Sequence, residues 1–244
     1  ELAVLTTDPG SDGKIHVTLE VAEECIQKKA IRYDKTGDNH YDTIAAFIES
    51  MCGSDPDAAL YYLARMLEAG EDVKDIARRM LVAASEEVGN ADPMAICVAA
   101  SAAISVERVG MPEGRIILAQ AASYIASAPK SNSAYLGIEK ALAIVRKTGN
   151  LPIPSYLQDS SYKGAKKLGR GIGYKYAHNY PNHWVKQQYL PDEIREEKIY
   201  EPNDIGHETD IKAYFRKIGK DPERYAFVDP SLSGKPWKPW EDKK

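Results

Sequence analysis

Gly53-Ser54-Asp55-Pro56-Asp57-Ala58-Ala59-Leu60-Tyr61-Tyr62-Leu63-Ala64-Arg65-Met66-Leu67-Glu68-Ala69-Gly70-Glu71-Asp72, continued from Val73 to Gly89, decides the fold class. Ser54 or Asp55 can accept from the free N–H groups of a first helical turn. Pro56 suits the first helical position, where no N–H is needed, and Asp57 adds favourable negative charge beside it. Ala59, Tyr62, Leu63, Met66 and Leu67 recur at three-four spacing, with Asp57, Tyr61, Arg65 and Glu68 on the other side. Gly70 stops this helix. Asp72 starts a second one, whose apolar stripe is Val73, Ile76, Ala77, Met80, Leu81, Ala84 and Val88 and which ends at Gly89-Asn90. So short a connection predicts an antiparallel helical hairpin.

Working outward, Ile44, Phe47, Ile48 and Met51 mark a helix before this pair, preceded by a polar, irregular run from Arg32 to His40. Residues 1 to about 7 look like the end of a helix, and Thr7 to Gly13 concentrates the residues of a turn. Because the chain opens in mid-helix and without Met, it reads as a piece of a longer protein. Ile15-His16-Val17 reads as briefly extended, with Thr18 capping a helix from Leu19 to Lys29.

After the pair, Asp92-Pro93 repeats the cap-then-proline start. The helix from Pro93 to Val109 is apolar almost all round, so it should be enclosed on several sides, and its alanines allow close approach by neighbours. Pro112 opens another mostly apolar helix, Glu113 to Ser127, ended by Ala128-Pro129-Lys130. Ser131 or Asn132 caps the next, whose stripe is Tyr135, Ile138, Leu142 and Val145. Two successive helices without a clear polar face carry more apolar surface than one small bundle covers. This predicts self-association through Met94, Val98, Ala102, Ile116, Ile117, Tyr124 and Tyr135, with additional internal core as the alternative.

Composition changes at Gly149-Asn150-Leu151-Pro152-Ile153-Pro154. From there to about Pro202 the chain is rich in Tyr, Gly, Pro and Lys and lacks helical period, so short strands and ordered loops are expected. A last helix, about His207 to Lys217, carries Ile211, Tyr214, Phe215 and Ile218, and the tail from Ser231 to Lys244 reads as mobile or docked on a neighbour. The fold class is therefore mainly α: an antiparallel helical bundle, then an irregular Tyr/Gly/Pro-rich segment with short strands and a final helix. The helical blocks keep no fixed period, which excludes a solenoid.

The 244 residues are 43% hydrophobic and 28% charged, an ordinary globular balance, and the net charge of −4 gives no global attraction to nucleic acid or anionic membrane. The longest apolar run, Met94 to Val106, is too short to span a bilayer. Cys25, Cys52 and Cys97 are few, scattered and set among apolar residues, and read as reduced core thiols of a cytosolic protein.

No phosphate-binding Gly-x-x-x-x-Gly-Lys-[Ser/Thr] occurs: Gly13-Lys14 is followed by Ile15. Gly169-Arg170-Gly171-Ile172-Gly173 resembles a phosphate loop only superficially, because it lacks a strand-to-helix setting. His178, His183 and His207 have neither a His-Glu-x-x-His spacing nor a cysteine pair to make them metal ligands, and Glu86-Glu87 is better read as a polar helix face than as an acid-base pair. No catalytic, cofactor or metal residue is assigned.

The one local charge anomaly runs from Ser160 to Leu190. Lys163, Lys166, Lys167, Arg170, Lys175 and Lys186 alternate there with Tyr162, Tyr174, Tyr176, Tyr180, Trp184 and Tyr189, and there is no Asp or Glu. Basic groups neutralise phosphates while aromatic faces stack on unpaired bases, so this is the composition of a single-strand contact surface. A solvated basic loop whose tyrosines pack on the helices is the competing reading. Arg78 and Arg79 form a weaker second candidate, with Asp75 one turn earlier placed to pair with Arg79.

Several ordered blocks then carry a resemblance. They are Tyr33-Asp34-Lys35, Gly37-Asp38-Asn39-His40-Tyr41-Asp42, Gly53 to Tyr61, Ala77-Arg78-Arg79, Ala84 to Gly89, Ala91-Asp92-Pro93, Ala128 to Tyr135 and Tyr174-Lys175-Tyr176-Ala177-His178. Together they resemble the C-terminal half of the replication-associated recombination protein A family, which includes the eukaryotic Werner-helicase-interacting protein. The resemblance implies that residues 1–30 end an AAA+ helical lid, 31–89 form an associated helical region, and 90–244 form an oligomerisation domain whose part from 151 onward is loop-rich. It also implies a DNA-dependent ATPase of stalled replication forks, cytoplasmic and nucleoid-associated, assembled as a homotetramer through this half. DNA and single-strand-binding protein would be its partners, and ATP and Mg²⁺ would be held by an ATPase core whose motifs this sequence does not contain. Cys52 and Glu87 depart from the pattern, standing where the family's Arg-Gly-Ser-Asp and Ser-Glu-Asp-Ile-Gly runs call for Arg and Asp. An autonomous single-stranded DNA-binding module is the alternative, and an independent hydrolase using Glu86 or the histidines comes third.

Overall fold

The computed structural model describes residues 13–19 and 38–221. The expected first helix, the turn before Gly13, the body of the helix from Leu19 to Lys29, Cys25 and the tail from Ser231 lie outside the described residues. Seven α-helices are described: α1 (Asp38–Cys52), α2 (Pro56–Glu68), α3 (Val73–Ala83), α4 (Met94–Val109), α5 (Gly114–Ser127), α6 (Ser133–Thr148) and α7 (Glu208–Lys217). The chain divides into two compact units, Glu1–Lys130 and Ser131–Lys244.

Unit 1 is a helical bundle started by short-range caps. The Asp55 carboxylate accepts from the Ala58 N–H at 2.9 Å with Pro56 next to it, Asp72 accepts from the Lys74 N–H at 2.9 Å, and Asp92 from the Met94 N–H at 3.0 Å. Each satisfies one of the N–H groups that a helix start leaves without a partner. Gly70, at φ +71°, turns the chain after α2 in the left-handed region that glycine enters without steric cost.

The expected hairpin does not form. Helix α2 packs on α1 and α5, while α3 packs chiefly on α4, and α2 and α3 do not lie along one another. A short link holds two helix ends together but leaves their directions to whichever neighbours bury their stripes. Those stripes are largely the ones read from the sequence: Ala59, Leu63 and Met66 on α2, and Ile76, Ala77, Met80 and Ala83 on α3. Phe47, Met51, Leu63, Met66, Ile76, Met80, Val88, Val106, Leu118 and Ile125 are the largest side chains shut away from solvent. Burying each of the larger ones contributes about 1.5–3 kcal/mol. Ala95, Ala99 and Ala102 of α4 meet Ala121 and Ala122 of α5 in the same core, and so many small side chains let these two helices approach closely.

Helix α3 widens at its end. Ala84–Val88 is a π-turn closed by the Gly89 N–H donating to the Ala84 carbonyl, five residues back.

Unit 2 holds α6, α7 and the long irregular segment between them. The expected short strands are absent among the described residues. Residues 149–207 are coil punctuated by 3-10 turns at Ser155–Leu157, Ala165–Leu168, Ala177–Asn179, Pro181–His183 and Asp192–Ile194. Prolines at 152, 154, 181, 191 and 202 each lack the N–H that a ladder requires, and Gly164, Gly169, Gly171 and Gly173 all take positive φ. The stripe read on α6 also runs the other way: Tyr135, Ile138, Leu142 and Val145 are exposed, while Ser133 and Gly137 are buried. Gly137 faces the backbone of Ile199 and Tyr200, where a Cβ would still find ordinary contact at 3.5 Å.

No helix among the described residues is long and apolar enough to cross a membrane.

Candidate functional site

Three local arrangements stand out. The first is the outer surface of α4 and α5 in unit 1. Among the described residues helix α4 is not enclosed on all sides: Ala95, Ala99, Ala102 and Val106 form one buried stripe, while Met94, Ile96, Ile104 and Val109 are exposed. On the neighbouring turn and helix Met111 is 49% exposed and Ile116 63%, high values for large apolar side chains on an ordered bundle. A groove of about 440 Å³ runs between the two helices, lined by Met94, Cys97, Val98, Val109, Ile117 and Gln120 among others. Of the residues assigned to an assembly face, Met94, Ile116 and Tyr135 are therefore exposed, Val98, Ile117 and Tyr124 are half-buried, and Ala102 lies in the core at 4% exposure. Tyr124 is held by its own chain, donating from its hydroxyl to Asp92 at 2.8 Å. That hydrogen bond, with burial second, raises the tyrosine's pKa. Cys97 is an exposed free thiol, not the core thiol expected, because the α4 face that carries it is left open.

The second is Cys52, Glu87 and Lys130. The Cys52 thiol donates to Glu87 Oε2 at 2.9 Å, joining two residues 35 apart in the chain. Burial first, and the hydrogen bond to Glu87 second, push the thiol up to about 12, which leaves it a neutral donor at physiological pH. Lys130 Nζ donates to the carbonyls of Ile125, Ala126 and Ala128 at 3.0, 3.0 and 2.6 Å, satisfying acceptors that the end of α5 leaves open. Burial lowers its pKa, opposed by the nearby Cys52 and Glu87. All three groups serve packing and capping.

The third arrangement is in unit 2. Glu208, at the start of α7, is 0% exposed. Its Oε2 accepts from Ser131 Oγ at 2.8 Å and the Asn203 N–H at 2.7 Å, and its Oε1 accepts from Ser133 Oγ and from Tyr200 OH at 3.1 Å. A buried carboxylate is tolerable only when its lone pairs are met in this way. One turn further on, Lys212 pairs with Asp204 at 2.6 Å. This knot ties the start of α6, the loop at 200–204 and α7 together.

Within the segment from Ser160 to Leu190, Lys163, Lys166, Lys167 and Lys175 are exposed, as are Tyr174 and Tyr176 at 45% and 53%. Arg170 is half-buried with its guanidinium 5.8 Å from the centre of the Tyr162 ring. The Lys175 N–H donates to Gln187 Oε1 at 2.8 Å, fixing the backbone there. The His178 ring neighbours both Tyr176 and His183, with centroids 5.1 and 4.9 Å away and planes tilted by 41° and 50°. Asp159, just before the segment, has its carboxyl pKa lowered by hydrogen bonds from Ser161, with nearby Arg170 a minor contribution.

Arg78 and Arg79 belong to unit 1, apart in sequence from this surface. Asp75 pairs with Arg78 at 3.7 Å, not with Arg79 as expected, because the i,i+3 neighbour offers its Nε on the exposed side while Arg79 is half-buried. The Gly169 to Gly173 run follows a 3-10 turn, precedes coil and opens no helix. Its Gly171 backbone lies so close to Ser160 that a Cβ would come within 2.6 Å of it. Among the described residues no group of three or more His, Cys, Asp or Glu is gathered to hold a metal ion. Two features escape sequence reasoning: Glu208, whose serine partners are far away in the chain, and the cluster of rings, whose histidines read there only as rejected metal ligands.

The described residues thus form a helical bundle with an open apolar face, followed by a basic, aromatic, loop-built unit. Residues 53–219 match the family model described as the C terminal of the MgsA AAA+ ATPase, and residues 1–52 match the AAA C-terminal domain. The chain belongs to this MgsA C-terminal family. It is 52% identical to the replication-associated recombination protein A of Bacillus subtilis over 90% of this chain and 52% of that one. To the protein of the same name in Escherichia coli K12 it is 42% identical, over 82% and 45%. To the ATPase WRNIP1 of Dictyostelium discoideum it is 38% identical, over 72% and 20%. The chain spans about half the length of its bacterial relatives.

Proposed function

We propose that this chain is the assembly and DNA- or partner-contacting module of a DNA-dependent AAA+ ATPase that acts at stalled replication forks. The observation that carries the reading is the open apolar face of α4 and α5, where Met94, Ile96, Ile104, Val109 and Ile116 are held in water by an otherwise well-packed bundle. Covering it with further copies removes that surface from solvent, and closed symmetry limits the number of copies; a homotetramer is the expected order. The module itself turns over no ATP. ATP and Mg²⁺ belong to the family's ATPase core, whose motifs are not in this sequence. DNA and single-strand-binding protein are the proposed partners, and the nucleoid of the cytoplasm the proposed location. Light scattering at micromolar concentration should give a mass near four chains, and Met94→Asp with Ile116→Asp should shift it toward one. A monomeric unaltered chain under those conditions refutes the assembly role.

A second reading, an autonomous single-stranded DNA-binding module, draws on a different observation. The lysines and arginine of residues 160–190 lie on a stretch of the chain that carries no carboxylate. A monomer that still binds single strands would favour it.

A further inference from the structure

The cluster of rings formed by Tyr176, His178 and His183 is more ordered than a solvated loop requires. Two short turns, Ala177–Asn179 and Pro181–His183, pack against each other and bring His178 and His183 to 4.9 Å between ring centres, with the Tyr176 ring 5.1 Å from His178. All three side chains are exposed. The arrangement costs strain, because Asn182 and His183 are consecutive non-glycine residues at φ +57° and +53°. Such backbone is disfavoured for most residues with a Cβ, though Asn and His enter it more readily than others, and two in succession persist where the surroundings impose them. Local burial offers no return for it here, since the rings it aligns remain in water.

The surroundings state what the rings would meet. Lys163, Lys166, Lys167, Lys175 and Lys186 lie within one stretch that contains no Asp or Glu, and none of them joins an ion pair among the described residues. Unpaired cations suit a polyanion, and exposed aromatic faces, each tilted from the next by 41° and 50°, suit bases that are splayed rather than stacked in a duplex. We propose that Tyr176, His178 and His183 form a stacking platform for the unpaired bases of a single DNA strand, whose phosphates the neighbouring lysines contact. The inference rests on the reading that this unit touches DNA. It adds the specific side chains and the lack of sequence preference, since every base has a flat face.

The test uses the full chain and a fluorescently labelled oligothymidylate, followed by anisotropy across a salt series. In the variant His178→Ala with His183→Asn, asparagine tolerates the left-handed backbone at 183, so the fold is kept while both rings are lost. Binding should weaken about tenfold or more, the loss of roughly one stacked base, with the dependence on salt unchanged because no cation involved in counterion release has been removed. His178→Phe, which keeps a flat face, should bind as the unaltered chain does. An abasic strand of equal length should bind the unaltered chain and the double variant alike. Unchanged oligothymidylate affinity in the double variant, beside a weakened and flatter salt response in Lys163→Ala, Lys166→Ala, Lys167→Ala, would overturn the platform and leave the DNA contact standing. Tighter binding of oligouridylate than of oligothymidylate would also overturn it, by assigning the surface to RNA. No binding of any strand by the unaltered chain at low salt would remove the DNA contact itself.

Discussion

Replacing Glu208 tests whether one buried carboxylate organises the second unit. Four donors converge on it: two serine hydroxyls, the Tyr200 hydroxyl and the Asn203 N–H. Glu208→Ala removes every acceptor and leaves a void. The three hydroxyls can turn toward water that enters, but the Asn203 N–H is fixed by the backbone. A lost hydrogen bond to a charged group costs about 1.5–3 kcal/mol, and four at one centre are not additive. Leaving several buried partners unpaired therefore sets the loss at about 3–5 kcal/mol, the range for breaking a buried charged pair from one side. Glu208→Gln keeps the volume and one acceptor oxygen. That oxygen can serve Asn203 and Ser131, while Ser133 and Tyr200 rotate to accept from the new amide, so about 1–2 kcal/mol should be lost. Urea titration followed by tryptophan fluorescence reads this unit, since Trp184, Trp237 and Trp240 all fall between residues 131 and 244. A drop below about 1 kcal/mol for the alanine variant, or equal losses for the two variants, would refute the reasoning.

Two further outcomes are expected. Asp55→Ala should lower the stability of the first unit by about 1 kcal/mol, seen in thermal unfolding by circular dichroism, because the Ala58 N–H loses its acceptor and Pro56 cannot supply one. At pH 8 an alkylating reagent should modify Cys97 and spare Cys52 by mass spectrometry. The raised Cys52 pKa also makes its stabilising effect complete below the ordinary value of 9.0. That effect fades as pH rises toward about 12, where the unfolded chain has already released the proton that the folded chain retains.

What could be read in the sequence was what neighbouring residues decide. Asp55, Asp72 and Asp92 announce helix starts because a cap and its N–H are two or three residues apart, and Leu63, Met66, Ile76 and Met80 reveal their faces by period alone. Direction was not legible: Gly70 and Asp72 mark a break, but only α1, α4 and α5 fix where α2 and α3 point. Apolar character also failed to mean inward on α6, where Tyr135, Ile138, Leu142 and Val145 face out and Gly137 faces in. Tyrosine-rich composition suggested strands, yet the prolines and positive-φ glycines of the same segment withhold the ladder. Glu208 could not be read at all, since Ser131 and Ser133 lie 77 and 75 residues away in the chain.

The wide turn at Ala84–Val88 has a consequence for how the chain can change length. An ordinary helix advances about 100° per residue, so losing one residue from the middle of α2 would rotate everything beyond it away from its partners. The same loss inside Ala84–Val88 would convert a five-residue step into the common four-residue one and leave the flanking helices nearly in register. Glu87 lies within that turn, so such a loss would also re-aim the acceptor of the Cys52 thiol.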